Sequence, residues 1–203
     1  MTLRGFYFIT DRMLCAKSEE DSVRQAIRGG ARIVQYREKE LGFEHKIEAA
    51  RRLKRICGKD VVLIVNDDVE VALASHADGV HLGHQDRAVK EARLMAGANM
   101  VIGVTARNVD DAVEAFRSGA DYVAVSPIFA TSTKRDAGEP VGAGMIRRVK
   151  DAVKIPVAAI GGINESNIDE VVDQGADMVC AISATVTRED ISSAVEFFAK
   201  KIG

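Results

Sequence analysis

The 203-residue sequence contains no tryptophan, and aromatic residues make up only 5% of it. It also lacks an excess of either charge. With 28 Lys and Arg against 30 Asp and Glu, the net of -2 excludes the basic surplus that general nucleic-acid binding needs. The three cysteines, Cys15, Cys57 and Cys180, form no CxxC pair, so neither a zinc knuckle nor a disulfide framework is indicated, and a reducing compartment is expected. Long apolar runs are missing as well. Phe6–Ile9 is cut off by Thr10-Asp11-Arg12, which is too short for a signal-peptide core or a membrane span and predicts a cytoplasmic protein with no membrane partner. What is present, 47% hydrophobic and 29% charged residues, is a soluble globular profile. A chain of this length buries roughly 70% of its unfolded surface, enough for one domain with a full core.

The sequence echoes itself at Gly30-Ala31-Arg32, His76-Ala77-Asp78, Gly97-Ala98-Asn99, Gly119-Ala120-Asp121 and Gly175-Ala176-Asp177, each followed by an apolar run. Glycine can take the left-handed conformation that closes a helix, and the Val-rich run after it suits a buried strand. The alanines at 31, 77, 98, 120 and 176 are 46, 21, 22 and 56 residues apart, spacings of one or two βα units, the last with an insertion. The rule places strands at Phe6–Thr10, Ile33–Arg37, Val61–Asn66, Gly79–Leu82, Val101–Thr105, Tyr122–Ser126, Pro156–Ile160 and Met178–Ser183. Ser18–Asp21, Asn108–Asp111, Asn164–Asn167 and Thr187–Asp190 each set capping side chains ahead of an apolar-periodic helix. Eight alternating units on so short a chain predict an α/β fold, a minimal single-domain (β/α)8 TIM barrel, with an open doubly wound sheet as the rival.

A barrel builds its active site at the carboxyl ends of its strands, and polar residues gather there. Strand two ends in Gln35-Tyr36-Arg37-Glu38-Lys39, and period-2 alternation sends Gln35, Arg37 and Lys39 the same way. Arg37 and Lys39 also have a plain reading, as surface charges paired with Glu38 and Glu40. Strand three ends in Asn66-Asp67, and Asp86 stands just past strand four. Two carboxylates on neighbouring strand ends can share one Mg2+, although both are also placed to start helices. The longest loop follows strand six and carries Thr131-Ser132-Thr133-Lys134, three hydroxyls and a cation, which fits an anion cradle or a solvated turn. Gly161-Gly162 after strand seven and Ile182-Ser183 at the end of strand eight stand where barrels commonly hold a phosphate. His81 could face the interior, as a catalyst or as a packed hydrogen-bonding residue. No Ser-His-Asp set, Cys-His pair or HExxH helix can be assembled. Such a mouth suits two phosphorylated groups, with catalysis by position and charge.

The segments Tyr7–Arg12, QYREK at 35–39, Asn66-Asp67, ADGVHLG leading to Asp86, GADYVAVSPIF with Thr131–Lys134, AIGGI at 159–163 and AISA at 181–184 together resemble the thiamine-phosphate synthase family over nearly the whole chain. The resemblance implies a barrel that joins hydroxymethylpyrimidine diphosphate to a thiazole phosphate and releases pyrophosphate. By position it implies that Gln35 binds the pyrimidine, that Arg37, Lys39, Asn66 and Lys134 bind the diphosphate with Thr105 beside it, and that Asp67 and Asp86 hold Mg2+. Tyr36 and Glu38 belong to the same substrate-binding segment, and Arg37, Lys39 and Lys134 are the implied catalytic cations. Thr131, Ser132, Thr133, Gly162, Ile182 and Ser183 are implied for the thiazole phosphate. The implied reaction is dissociative: diphosphate leaves, and the thiazole nitrogen captures a pyrimidine carbocation. Departures from the family pattern are Ala130 for Pro, His84 for Gln, and Arg107-Asn108 for His-Thr. A thiazole tautomerase-like paralogue and a non-catalytic regulatory barrel are the alternative readings, and the sequence leaves a homo-oligomer open.

Overall fold

A computed structural model describes residues 3–15, 17–83, 86–133 and 137–203. Eight strands close into a parallel barrel in chain order. They are β1 (Gly5–Ile9), β2 (Ile33–Tyr36), β3 (Val62–Asn66), β4 (Gly79–Leu82), β5 (Val101–Ala106), β6 (Tyr122–Val125), β7 (Val157–Ile160) and β8 (Met178–Cys180). The helices between them are α1 (Glu19–Arg28), α2 (Phe43–Cys57), α3 (Val69–Ser75), α4 (Val89–Ala96), α5 (Val109–Arg117), α6 (Gly144–Ala152) and α7 (Ile168–Asp173), with α8 (Ile182–Val186) and α9 (Ile191–Ile202) completing the last unit. The open-sheet rival is excluded by the β1–β8 ladder, in which Gly5 pairs with Met178 and Phe6 with Val179. Among the described residues, no helix is long and apolar enough to cross a membrane.

Strand alternation divides the core in two. Tyr7, Ile9, Ile33, Ile64, Tyr122, Ala124, Met178 and Cys180 point into the barrel. Phe6, Phe8, Val34, Tyr36, Val65, Val80, Ile102 and Val123 point outward against the helices. The cysteines are free, and burial pushes Cys57 up to about 12, so it packs as a small apolar residue.

The repeated Asp does a common job at the amino end of the barrel. Asp78 lies before β4, and its backbone N–H donates to Leu63 O (2.9 Å) while its carboxylate accepts from Leu63 N (2.8 Å) and from Lys54 Nζ (2.6 Å). Asp121 does the same with Ile102 and Arg93, and Asp177 with Val157 and Lys150. Each carboxylate thereby fixes the start of the preceding strand and takes a cation from the helix before it.

The expected strand ends hold to within one residue except at strand eight, and the last helix also starts later than expected. Strand eight stops at Cys180 instead of running to Ser183, because its ladder with β7 ends at Ile160 and Gly161 turns away with φ +103°. The chain then coils into α8, where the Thr185 hydroxyl donates to Ala181 O. The last helix starts at Asp190, whose carboxylate accepts from Ser193 N, and not at Thr187, which closes α8. Ser18 and Asn108 cap α1 and α5 as their sequence positions suggest. Asn164 sits in the turn before α7 and, with Asn167, donates to the Gly162 carbonyl.

Candidate active site

A pocket opens at the carboxyl ends of the strands, where β1, β2, β3, β4, β5, β7 and the β6–α6 loop all contribute. One wall is cationic. Arg37, just past β2, takes Thr10 Oγ1 as acceptor for its backbone N–H (3.1 Å), and its Nη1 donates to Asp11 Oδ2 (2.7 Å). Asp11 in turn accepts from Met13 N and Leu14 N through its other oxygen, so the carboxylate that aims Arg37 is itself held. Lys39 donates to Asp67. The plain reading of these cations, in pairs with Glu38 and Glu40, is therefore not what forms. Glu38 turns back to accept from Glu40 N (2.6 Å) and lies 3.7 Å from Arg12.

The carboxylates of Asp67 and Asp86 meet beside this wall. Asp67 has φ +65°, a conformation that side chains other than Asn and Asp seldom adopt, and the α3 cap that it could have supplied is made by Asp68 instead. Asp86 Oδ2 accepts from Gly83 N (2.6 Å). Burial pushes Asp67 up, but hydrogen bonds with Asp86 and Lys39 outweigh it and hold this carboxyl below its ordinary value. Burial and the adjacent Asp67 push Asp86 the other way. This is the behaviour of two carboxylates sharing one positive charge, a proton or a cation. Asn66, Asp67 and Lys39 also border a polar cleft beyond the pocket, which Glu38, Asp86 and Arg87 line.

Across the pocket lie Thr131, Thr133, Gly161, Gly162, Ile182 and Ser183. Thr131 Oγ1 accepts from Thr133 N (3.3 Å). The glycine pair serves close packing as well as access: a β-carbon on Gly161 would sit 2.7 Å from Pro127 Cα, and one on Gly162 2.5 Å from Ala130 O. The β6–α6 loop is hydrogen-bonded along this seam through Ile128 N to Ile160 O and Phe129 N to Gly161 O, both 2.9 Å.

Of the residues singled out in the sequence, Gln35, Arg37, Lys39, Asn66, Asp67, Thr105, Thr131, Thr133, Gly162, Ile182 and Ser183 line the pocket. Tyr36 does not. It follows Gln35 on the opposite face of β2, so it packs against the helices with its hydroxyl buried and unpartnered. Ser132 is exposed and outside the lining, Asp86 and Glu38 border the adjoining cleft, and Lys134 and His84 lie outside the described residues. Asn108 caps α5, and Arg107 Nη2 donates to Ala137 O (3.3 Å), which ties the β5 and β6 loops together.

The floor of the pocket is a hydrogen-bonded chain that no local stretch of sequence displays. Gln35 Nε2 donates to Tyr7 Oη (2.6 Å), Tyr7 Oη lies 2.8 Å from Tyr122 Oη, Tyr122 Oη 2.9 Å from His81 Nδ1, and His81 Nε2 3.0 Å from Thr105 Oγ1. His81 thus faces the interior as a hydrogen-bonding residue. Alternation gives the inward direction of Tyr7 and Tyr122, but only barrel closure brings β1, β2, β4, β5 and β6 within bonding distance.

A closed barrel whose mouth sets guanidinium, ammonium and paired carboxylates opposite hydroxyls and a Gly-Gly turn defines a (β/α)8 enzyme with a polar small-molecule pocket. Residues 6–185 match the family described as thiamine monophosphate synthase, and the chain belongs to that family. It is 47% identical over 193 residues to the thiamine-phosphate synthase of Methanosarcina barkeri, covering 95% of this chain and 88% of that protein. With the thiamine-phosphate synthase of Chloroflexus aurantiacus the identity is 45% over 190 residues, covering 93% of this chain and 88% of the other. The solved thiamine phosphate pyrophosphorylase of Pyrococcus furiosus superimposes with a TM-score of 0.91 at 39% identity, over 98% of this chain and 95% of that one.

Proposed function

We propose that the chain transfers the hydroxymethylpyrimidine group from its diphosphate to a thiazole phosphate, giving thiamine phosphate and pyrophosphate. The observation that carries this reading is the division of one pocket into a cationic, carboxylate-bearing wall and a facing hydroxyl and glycine wall, two anion sites across one reaction space. Gln35 takes the pyrimidine. Arg37, Lys39, Asn66 and Lys134 hold the diphosphate with Thr105 beside it, and Thr131, Thr133, Gly162, Ile182 and Ser183 hold the thiazole phosphate, without Ser132, which lies outside the lining.

The bond that breaks joins the pyrimidine methylene carbon to the diphosphate oxygen, which leaves with the electron pair. The bond that forms joins the same carbon to the thiazole nitrogen through the nitrogen lone pair, so no base is required. Arg37, pinned by Asp11 and Thr10, is aimed at the charge before it develops, so little reorganisation is needed at the moment of reaction. The opposing wall holds the second phosphate and with it the nucleophile's position.

The donor set of Asp67 and Asp86 fits a hard divalent cation: two carboxylates meet, one already countered by Lys39, and hard oxygens are the ligands that Mg2+ takes. When bound, Mg2+ neutralises diphosphate charge there. Lys39 and Asp67 would separate as the diphosphate arrives, which frees an ammonium for the leaving group and a carboxylate for the metal. We further infer a cytoplasmic enzyme with no nucleic-acid partner, in keeping with the charge balance and the free thiols.

The direct test mixes both substrates with Mg2+ and follows thiamine phosphate. Product formation that is abolished by chelator is the expected result. A folded protein that forms no product, yet interconverts thiazole phosphate tautomers, would favour the tautomerase-like alternative.

A further inference from the structure

Each hydroxyl in the chain from Gln35 to Thr105 has one proton, and that restriction fixes a direction. Tyr7 Oη accepts from the Gln35 amide and therefore gives its own proton to Tyr122. Tyr122, having accepted, donates to His81 Nδ1. A neutral imidazole that accepts at Nδ1 carries its proton on Nε2 and donates to Thr105 Oγ1, which sends its own proton onward. Thr105 lines the pocket, so it presents a donor, the polarity that suits an anion.

Reversing one link reverses all of them. With the Gln35 oxygen toward Tyr7, every proton would move to the other side of its bond, His81 would carry its proton on Nδ1, and Thr105 would spend its proton on the ring. At the other end, the Gln35 amide keeps its oxygen and one N–H for the pocket, a donor–acceptor pair whose two positions exchange when the amide turns over. Most of the chain is buried, with Tyr7 and Tyr122 each 1% exposed, Gln35 3% and His81 9%, while Thr105 is half-buried where it meets the pocket, so the bonds between Gln35 and His81 are kept from water that would uncouple them.

We propose that Tyr7, Tyr122 and His81 are positioning residues whose hydrogen-bond direction couples the amide orientation of Gln35 to the donor presented by Thr105. The two ends of the pyrimidine diphosphate, ring and leaving group, are then read by one polarised relay. A ring that inverted the Gln35 amide would also turn the Thr105 donor away from the diphosphate. Specificity for the pyrimidine thus reaches the leaving-group end through the barrel interior. The naming of the ligand rests on the function proposed above, but the relay itself is a property of the ligand-free protein.

Two measurements test it. The first is 15N NMR of the ligand-free protein, with His81 assigned by the loss of its signals in His81→Asn. The expected result is a protonated Nε2 and an unprotonated Nδ1 in the wild type, with the two nitrogens averaging toward each other in Tyr122→Phe. A proton on Nδ1, or an unchanged tautomer in Tyr122→Phe, overturns the relay. The second is calorimetric binding of hydroxymethylpyrimidine diphosphate to Gln35→Ala, Thr105→Val and the double variant, in the wild-type and Tyr122→Phe backgrounds. The two losses should depart from multiplicative behaviour by about threefold or more with Tyr122 present and multiply in its absence. Multiplicative losses in both backgrounds overturn the coupling. The expected tautomers in a wild-type protein that fails to bind the ligand would overturn the function proposed above and leave the relay standing.

Discussion

Tyr122 occupies the space that Gly103 leaves empty: a β-carbon on Gly103 would lie 1.9 Å from Tyr122 Cζ and 2.3 Å from its hydroxyl oxygen. The ring of one strand therefore leans across its neighbour, and the lean is what carries the hydroxyl to both Tyr7 and His81. Gly103→Ala should displace the ring, destabilise the protein by about 1–3 kcal/mol as overpacking does, and lower activity beyond what the stability loss accounts for. Denaturant midpoints together with rates at a temperature where the variant is folded check this. A variant that is folded, destabilised and fully active would show that Tyr122 is only packing.

Asp86→Ala and Asp67→Ala should each lower the rate on the order of a hundredfold or more in saturating Mg2+, as loss of a metal-borne charge at the leaving group does. Stability should hold or rise in Asp86→Ala, which relieves a carboxylate pushed up by its neighbour, whereas Asp67→Ala should lose some, because alanine is strained at φ +65° and Lys39 loses its acceptor. Thermal melts and initial rates over a Mg2+ series separate the two effects, and unchanged turnover in both variants would remove the metal role.

On the function proposed above, Lys134 meets the diphosphate chiefly as its charge develops, so Lys134→Ala should lower kcat more than it raises KM. The loss expected for one charge-assisted contact is roughly tenfold to hundredfold. Steady-state kinetics decide it. A raised KM with kcat untouched makes Lys134 a ground-state binder.

Glu19 sits at the start of α1 with one oxygen buried and unpartnered, and burial, then Glu38 and Glu20, push it up from its ordinary 4.5 to about 7. The folded state thus holds a proton that the unfolded chain has already lost, so stability falls as pH rises from 4.5 toward 7 and levels off above it. Glu19→Gln should leave stability little changed near pH 4 and raise it by about 1 kcal/mol at pH 8, a figure reduced for the partial exposure of the side chain. Urea unfolding at the two pH values checks the sign. A variant less stable at pH 8 would mean that the charge helps the helix start more than its burial costs.

Much of the barrel was legible because it repeats. The Gly-Ala-Asp echo marks where strands begin, and alternation within Ile33–Lys39 correctly set Gln35, Arg37 and Lys39 toward the pocket. What failed was local reading of features that depend on closure. Tyr36 adjoins Gln35 in the segment that the resemblance implies for substrate, yet one residue along a strand is the opposite face. Ile182 and Ser183 follow directly on the apolar run of strand eight, and nothing in the sequence shows that the neighbouring ladder ends at Ile160. The partner of Arg37 lies 26 residues away at Asp11, and the His81–Tyr122 contact spans 41 residues. The first needs β1 laid beside β2 and the second needs β4 and β6 brought across the barrel, and neither shows in a local stretch of sequence.

Asp78→Ala should cost about 1–3 kcal/mol, because the Leu63 N–H and the Lys54 ammonium lose their shared acceptor. It lies at the opposite end of the barrel from the pocket, so kcat should be unchanged while the protein is folded. Equal losses of activity and stability in the folded range would show that the two ends communicate.

The three aspartate clamps also give the chain an order of assembly. Each joins residues only 15 to 28 positions apart, so each couples a strand, its helix and the next strand within one stretch of sequence. At the corresponding place before β2 stands Arg32, whose N–H reaches Phe6 O at 3.4 Å with no carboxylate to reinforce it. The seam between β1 and β8 is a ladder of two register pairs between the far ends of the chain. Short-range contacts form before loop-closure entropy must be met, so quarter-barrels can condense independently and the seam is left to shut last. That makes the seam the natural place to open the ring: a circular permutant that ties the present ends together and cuts elsewhere would disturb folding least if its new ends fall between clamped quarters.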